Sequence, residues 1–194
     1  SRKQEVRTLL PVMLAAAAEL AAEREDLRFF LPVAPTIDSE MINRLLANYP
    51  GLVVETKERE ETYNLMAAAD LGILASGTAT LEAALLRLPI IVTYQVSKIS
   101  AFLFQVLANK EERGHQPVMV ALPNLIKGEK VVPELIQDLL TPALLAAEIR
   151  SLLDEPDRQA AIRSKLQGIG ELLGPSGVMA RVATIVQGEA RTSR

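Results

Sequence analysis

From residue 6 to residue 122 the chain alternates between two residue periodicities, and that alternation restricts the folds open to it. Short apolar runs carrying β-branched or aromatic residues occur at Arg28 to Val33, Leu52 to Glu55, Asp70 to Ala75, Ile90 to Tyr94 and Val118 to Leu122. Each has the length and composition of a strand buried on both faces. Between them lie segments with helical spacing, at 6–22, 37–48, 58–69, 78–88 and 99–109. A parallel neighbour is reached only through a crossover, so the alternation predicts right-handed βαβ units. These build an α/β fold with a doubly wound, Rossmann-like parallel sheet. After Pro123 the pattern becomes helical throughout, at 131–139, 142–154, 157–172 and 176–188, punctuated by Thr141-Pro142, Glu155-Pro156 and Gly174-Pro175. The expected organisation is a sheet domain over 1–140, followed by helices over 141–194 that wrap one face of it.

Composition narrows the function classes. With 194 residues and 49% hydrophobic content, the chain can bury one sizeable core. A net charge of -3 gives no overall attraction to nucleic acid, which is not an expected partner. The absence of cysteine excludes disulfides, thiolate metal sites and a cysteine nucleophile, and fits a reducing compartment. No apolar run approaches the roughly 18 residues that span a bilayer, and the opening SRKQEVRTLL lacks the apolar core of a signal peptide. A cytoplasmic location is therefore expected. Neither Asp-x-Asp nor His-Glu-x-x-His occurs, and the single histidine, His115, lies in the charged loop 109–117, so no metal or other cofactor is expected. The acidic run at 55–61, ETKEREE, reads as a solvated first helical turn rather than as an acid and base pair.

The stretch ASGTATLE at 75–82 follows one of the expected strands and opens a helix. Ligands of doubly wound sheets sit beyond the carboxyl ends of the strands, so this turn occupies a binding position. Gly77 lets a ligand approach the backbone, and the free N–H groups of the first turn, with the hydroxyls of Ser76, Thr78 or Thr80, suit phosphate oxygens. Glu82, one turn in, would repel a phosphate but suits the adjacent hydroxyls of a ribose. A nucleoside diphosphate satisfies both ends. The alternative is that Ser76 or Thr78 caps the helix and Glu82 complements its dipole. Two further stations belong to the same edge. Arg2 can grip a pyrophosphate bidentately, or be an untethered terminal charge. Asn124, in Leu122-Pro123-Asn124-Leu125 after the last expected strand, offers a donor and an acceptor, or forms a turn.

Ser1-Arg2 with Glu5-Val6, SGTATLE at 76–82 and LPNLIKGEKVVPELIQ at 122–137, with the spacing between them, resemble the C-terminal half of the lipid-A-disaccharide synthase family of GT-B glycosyltransferases. The likeness runs over essentially the whole chain. It implies a domain that binds the UDP-2,3-diacylglucosamine donor, whose sugar passes to a lipid monosaccharide 1-phosphate acceptor with release of UDP. By the same resemblance Arg2 contacts donor phosphate, Ser76, Gly77, Thr78, Ala79 and Thr80 form the phosphate-facing turn, and Glu82 binds ribose. Asn124 then lines the donor site, and Glu134 and Gln137 lie near it on the following helix. Family members begin this domain with a strand before the Ser-Arg pair and carry the acceptor domain and catalytic group ahead of it. No catalytic residue is therefore expected here, and the chain alone is expected not to complete transfer. Gln95 stands where the family often has arginine, and the loop at 109–117 looks longer than usual.

The family's peripheral membrane association, at the inner membrane, draws notice to SKISAFLFQVLANK at 97–110, whose apolar residues lie between lysines; an ordinary sheet-packed helix is the expected reading. The family's paired dimers with exchanged C-terminal elements raise the same prospect for the helices after 141. The competing functions are the donor domain of another GT-B glycosyltransferase, an NDP-sugar epimerase, and a non-catalytic nucleotide-sugar binding module.

Overall fold

The computed structural model describes residues 3–95 and 119–174, together with 177, 182–184 and 186. Ser1, Arg2, the 97–110 segment, His115 and most of the expected helix at 176–188 lie outside the described residues. The order is α1 (Lys3–Glu23), β1 (Phe29–Val33), α2 (Ser39–Leu46), β2 (Val54–Glu58), a 3-10 turn (Arg59–Glu61), α3 (Thr62–Ala68), β3 (Gly72–Ala75), α4 (Thr78–Leu85) and β4 (Ile90–Tyr94). It continues with α5 (Leu122–Lys127), β5 (Glu134–Ile136), a 3-10 turn (Gln137–Leu139), α6 (Pro142–Asp154), α7 (Pro156–Leu166) and α8 (Ile169–Leu172).

Every strand pair is parallel, and consecutive strands are joined through helices, as the alternation predicts. The strands form two sheets, β1-β2 and β3-β4-β5, with no ladder between β1 and β3 among the described residues. Phe29 faces Val54 in the first sheet, while Ala75 faces Thr93 and Ile136 faces Tyr94 in the second. α1 connects the two. Its Leu10 and Leu14 pack with Ile37 and Ile42 beside β1-β2, whereas Ala16 and Leu20 enter the larger core around Ile90, Ile91 and Val92 of β4. β4, flanked by strands on both sides and buried from Ile90 to Thr93, is the centre of that core.

The C-terminal helices close the large core. α6 contributes Leu145, Ile149 and Leu152, which pack with Ala16 and Leu20 of α1, and Arg150 pairs with Glu19 and Glu23 across the same seam. α6 begins where Thr141 Oγ1 accepts from the Leu144 N–H and Pro142 occupies the first turn, a start legible in the sequence.

Three expectations fail locally, and a fourth fails in part. Where a strand is expected at 118–122, the described residues 119–121 lead into α5: Pro123 has no N–H to give a ladder but fits a first helical turn. The helix expected at 131–139 is β5 and its 3-10 turn, because Val131 and Val132 are β-branched and Val132 precedes a proline, which drives the chain into extended backbone. The helix expected at 157–172 divides at Gly168 into α7 and α8. The charged run at 55–61 leads into a helix only in its second half: Glu55–Glu58 belong to β2, with Arg28 paired to Glu55 across the sheet, while Arg59–Glu61 form the solvated 3-10 turn that precedes α3.

Candidate functional site

Because β3, β4 and β5 run parallel, their carboxyl ends share one edge. The segments leaving that edge are Ser76-Gly77, Gln95 and Gln137, which brings the hydroxyl-rich turn and the glutamine of the last sequence block together. Ser76 is held from two sides: its N–H donates to the Thr93 carbonyl at 3.0 Å and its Oγ to the Val120 carbonyl at 2.7 Å. Gly77 is fully extended and exposed, and a Cβ built on it meets no atom of the described residues within 4 Å. The open space above Gly77 is what a ligand approaching the backbone requires.

α4 begins after Gly77, and no side chain caps it. The capping role weighed for Ser76 and Thr78 is therefore not taken up; the Thr80 N–H donates to the Gly77 carbonyl at 3.1 Å, and among the described residues the N–H groups of the exposed Thr78 and of Ala79 have no partner in the first turn. Thr80 differs from its neighbours. Fully buried, it donates Oγ1 to the Gly77 carbonyl at 2.7 Å and fixes the turn from below. Ala79 is half-buried against the core. Glu82 lies four residues after Thr78 and so shares its helix face; it is half-buried, and its side chain has no hydrogen bond or ion pair among the described residues. Such a carboxylate beside an open turn is able to accept from hydroxyls.

Gln137 leaves β5 with φ 52, in the left-handed region that a side chain with a Cβ enters only at a cost. Strain of this kind at the carboxyl edge of a parallel sheet is characteristic of positions that aim a side chain. Glu134 lies on β5, not on the expected helix, and is buried.

Asn124 is also inside the protein. Its Nδ2 donates to the Val132 carbonyl and to Glu134 Oε1, each at 2.9 Å, and its Oδ1 accepts from the N–H groups of Val131 and Val132 at 2.8 and 2.9 Å. Both N–H groups and both lone pairs are thereby used within the protein. Glu134 Oε1 accepts in addition from Val120 at 3.1 Å and Ala121 at 2.7 Å. Sequence reasoning missed Thr93 and Val120, which hold Ser76. A buried threonine at the end of an apolar strand was a readable signal for the first; the second acts through its backbone and left none.

A cavity of about 350 Å³ opens elsewhere, at the amino end of β5, lined in part by Lys130, Pro133, Glu148, Arg158, Ile162 and Lys165. Its guanidinium already serves Glu148 and Ser151, and Lys165 serves Glu129. The carboxylates whose pKa is lowered also lie away from the turn: Arg24 acts on Asp26, Arg28 on Glu55 and Lys165 on Glu129, in each case first through a hydrogen bond. Among the described residues no cluster of three or more His, Asp or Glu side chains is placed to hold a metal, and no helix is long and apolar enough to cross a membrane.

Parallel strands reached through helical crossovers, with a glycine and hydroxyl turn at their carboxyl edge, define a Rossmann-like α/β domain. The family model for lipid-A-disaccharide synthetase matches residues 1–181, and the chain belongs to that family. It is 40% identical over 187 residues to a lipid-A-disaccharide synthase of Syntrophus aciditrophicus (strain SB), covering 95% of this chain and 46% of that protein. It is 38% identical over 186 residues to one of Geobacter sulfurreducens, covering 96% and 46% respectively. To one of Anaeromyxobacter sp. (strain K) it is 36% identical over 191 residues, covering 98% and 48%. The chain spans about half the length of these curated relatives.

Proposed function

We propose that this chain is the donor-binding part of a lipid-A-disaccharide synthase. In this reading it holds UDP-2,3-diacylglucosamine while the sugar is transferred to 2,3-diacylglucosamine 1-phosphate, giving lipid A disaccharide 1-phosphate and UDP. The observation that carries the reading is the uncapped, open start of α4 at Gly77 with Glu82 on the face of Thr78. Diphosphate oxygens accept from the N–H groups of Thr78 and Ala79 and the Thr78 hydroxyl, and the Glu82 carboxylate accepts from ribose hydroxyls. Gln137 reaches toward the same ligand from β5, and Arg2 supplies a cation to the diphosphate. As charge develops on the departing β-phosphate, these fixed donors stabilise it without reorganising.

Membership of the family and the names of the relatives support this reading. The acceptor and the group that activates it belong to the part of the relatives that this chain does not span, so the chain by itself binds donor without completing transfer. Cytoplasmic action at the inner-membrane surface and pairing into dimers are part of the same proposal.

Calorimetric titration of the chain with UDP tests it. Binding that weakens at least tenfold in Glu82→Ala is expected, a loss on the scale of a hydrogen bond to a charged group. Equal affinity in the variant and the unaltered chain overturns the site.

A further inference from the structure

We propose that Glu134 is a positioning residue: its buried carboxylate holds the hydroxyl turn after β3 in place through the Val120 backbone. The inference rests on the donor-site reading above for its purpose, and on the hydrogen bonds for its mechanism.

Three N–H groups, from Val120, Ala121 and Asn124, converge on one oxygen of Glu134. The Val120 carbonyl, on the far side of the same residue, receives Ser76 Oγ. Ser76 in turn is bound through its N–H to Thr93 of β4, whose hydroxyl donates to the Leu74 carbonyl at 3.2 Å. The chain of contacts therefore runs from β5 through 120–121 to the turn and back to β3 and β4. Asn124 closes it by clasping Val131 and Val132, the residues that lead into β5. Every link is buried or half-buried, where hydrogen bonds are electrostatically stronger than in water.

A carboxylate is a costly choice for such a place, since burial penalises its charge unless that charge is well satisfied. A neutral amide would bring two N–H groups that need partners of their own and only partial charge for the three donors. The carboxylate, an acceptor with no N–H of its own, gathers the 120–121 segment onto β5 through Oε1 and leaves the Val120 carbonyl aimed at Ser76. The effect is to fix the height of the turn relative to the sheet, which sets where the Gly77 and Thr78 N–H groups meet a ligand. A displacement of about 1 Å at such a turn is enough to matter for binding and catalysis. Asn124 belongs to this clasp and, with its amide fully used, acts by position and not by contact.

The test uses the chain with Glu134→Gln, Ser76→Ala and both together, read by amide hydrogen exchange without ligand and by UDP calorimetry. In Glu134→Gln the amides of Val120 and Ala121 are expected to exchange faster, and with them those of Ser76 and Thr80. UDP affinity is expected to fall about tenfold, on the scale of one charge-assisted hydrogen bond. The double variant is expected to bind UDP no more weakly than the weaker single one, because both substitutions cut the same chain of contacts. Faster exchange at 120–121 with an unchanged turn and unchanged affinity overturns the proposal, as do additive losses in the double variant. If Glu134→Gln fails to melt cooperatively, Ser76→Ala alone decides: it cuts the link from the other end and is expected to loosen Val120 and Ala121, and unchanged exchange there overturns the proposal. An unaltered chain that binds no UDP overturns only the donor-site reading, because the exchange measurement needs no ligand.

Discussion

Gly77 and Arg87 bracket α4 and make opposite demands on a side chain. At Gly77 the backbone is extended and the space beyond it free of the described residues, so Gly77→Ala is expected to fold with an unchanged melting midpoint. Its added methyl points into the space assigned to the diphosphate, and UDP affinity in that variant is expected to fall several-fold; calorimetry beside a thermal melt separates the two effects. Arg87 sits past the end of α4 at φ 58, with its N–H donating to the Ala84 carbonyl and that of Leu88 to the Ala83 carbonyl. This is a Schellman end with arginine where glycine is preferred. Arg87→Gly is expected to raise stability by about 1 kcal/mol, measured by urea unfolding, because it relieves a left-handed residue with a Cβ. Of the two, only Gly77 announced itself in the sequence. The strained positions Arg87 and Gln137 did not, since neither residue type signals a left-handed conformation.

Among the elements, those with both a periodic interior and a punctuated end were legible in the sequence. β4 and α6 were found at their observed limits because one is an unbroken apolar run and the other opens on Thr141-Pro142. The block from 118 to 139 was misread in both directions. Its leucines and valines fit either periodicity; Pro123 and Pro133 decide between them locally, and the clasp of Asn124 on Val131, Val132 and Glu134 then fixes the block through contacts that periodicity does not record. Asn124→Ala would leave the N–H and carbonyl of Val132 and the Glu134 carboxylate short of partners in a buried place, while the Val131 N–H keeps the Glu129 carbonyl. A loss of about 3 kcal/mol or more is expected in urea unfolding, the sum of more than one unsatisfied group. The first sheet offers a weaker tie. Arg28 pairs with Glu55 and lies 5.6 Å from the Phe30 ring centroid, but at an exposed position where such contacts contribute little.

For the whole molecule, acid sensitivity follows from surface pairs spread over its extent. Asp26, Glu55 and Glu129 have folded pKa values below those of the unfolded chain, so their stabilisation is complete above the ordinary carboxylate range and is lost as pH falls through the folded values. Urea midpoints are expected to be flat above about pH 5 and to decline from about pH 4 downward. The decline is expected to be shallow and to flatten further in 1 M salt, because these groups are exposed and screened. The parallel, doubly wound class was legible at this scale, because alternation of periodicity is a property of the whole chain. The division into two sheets was not, because no local pattern encodes which strands fail to meet.

That division leaves α1 with two separate partners. Among the described residues, the group beside β1-β2 has four buried members, Leu10, Leu14, Ile37 and Ile42, and two of the four belong to α1. The larger group surrounds β4, with Ala16 and Leu20 as its buried members from α1 and Val12 and Met13 packed against it. A structure divided in this way has a gradient of opening free energy. β1, β2 and α2 form a unit able to detach while the β4 core persists, and α1 frays from its first half. Amides of β1 and β2 are expected to exchange through this partial opening, well below the free energy that protects β4. Anything that spans both sheets at their carboxyl edge would raise the lower figure toward the higher, so ligand binding would register as slower exchange in strands it never touches.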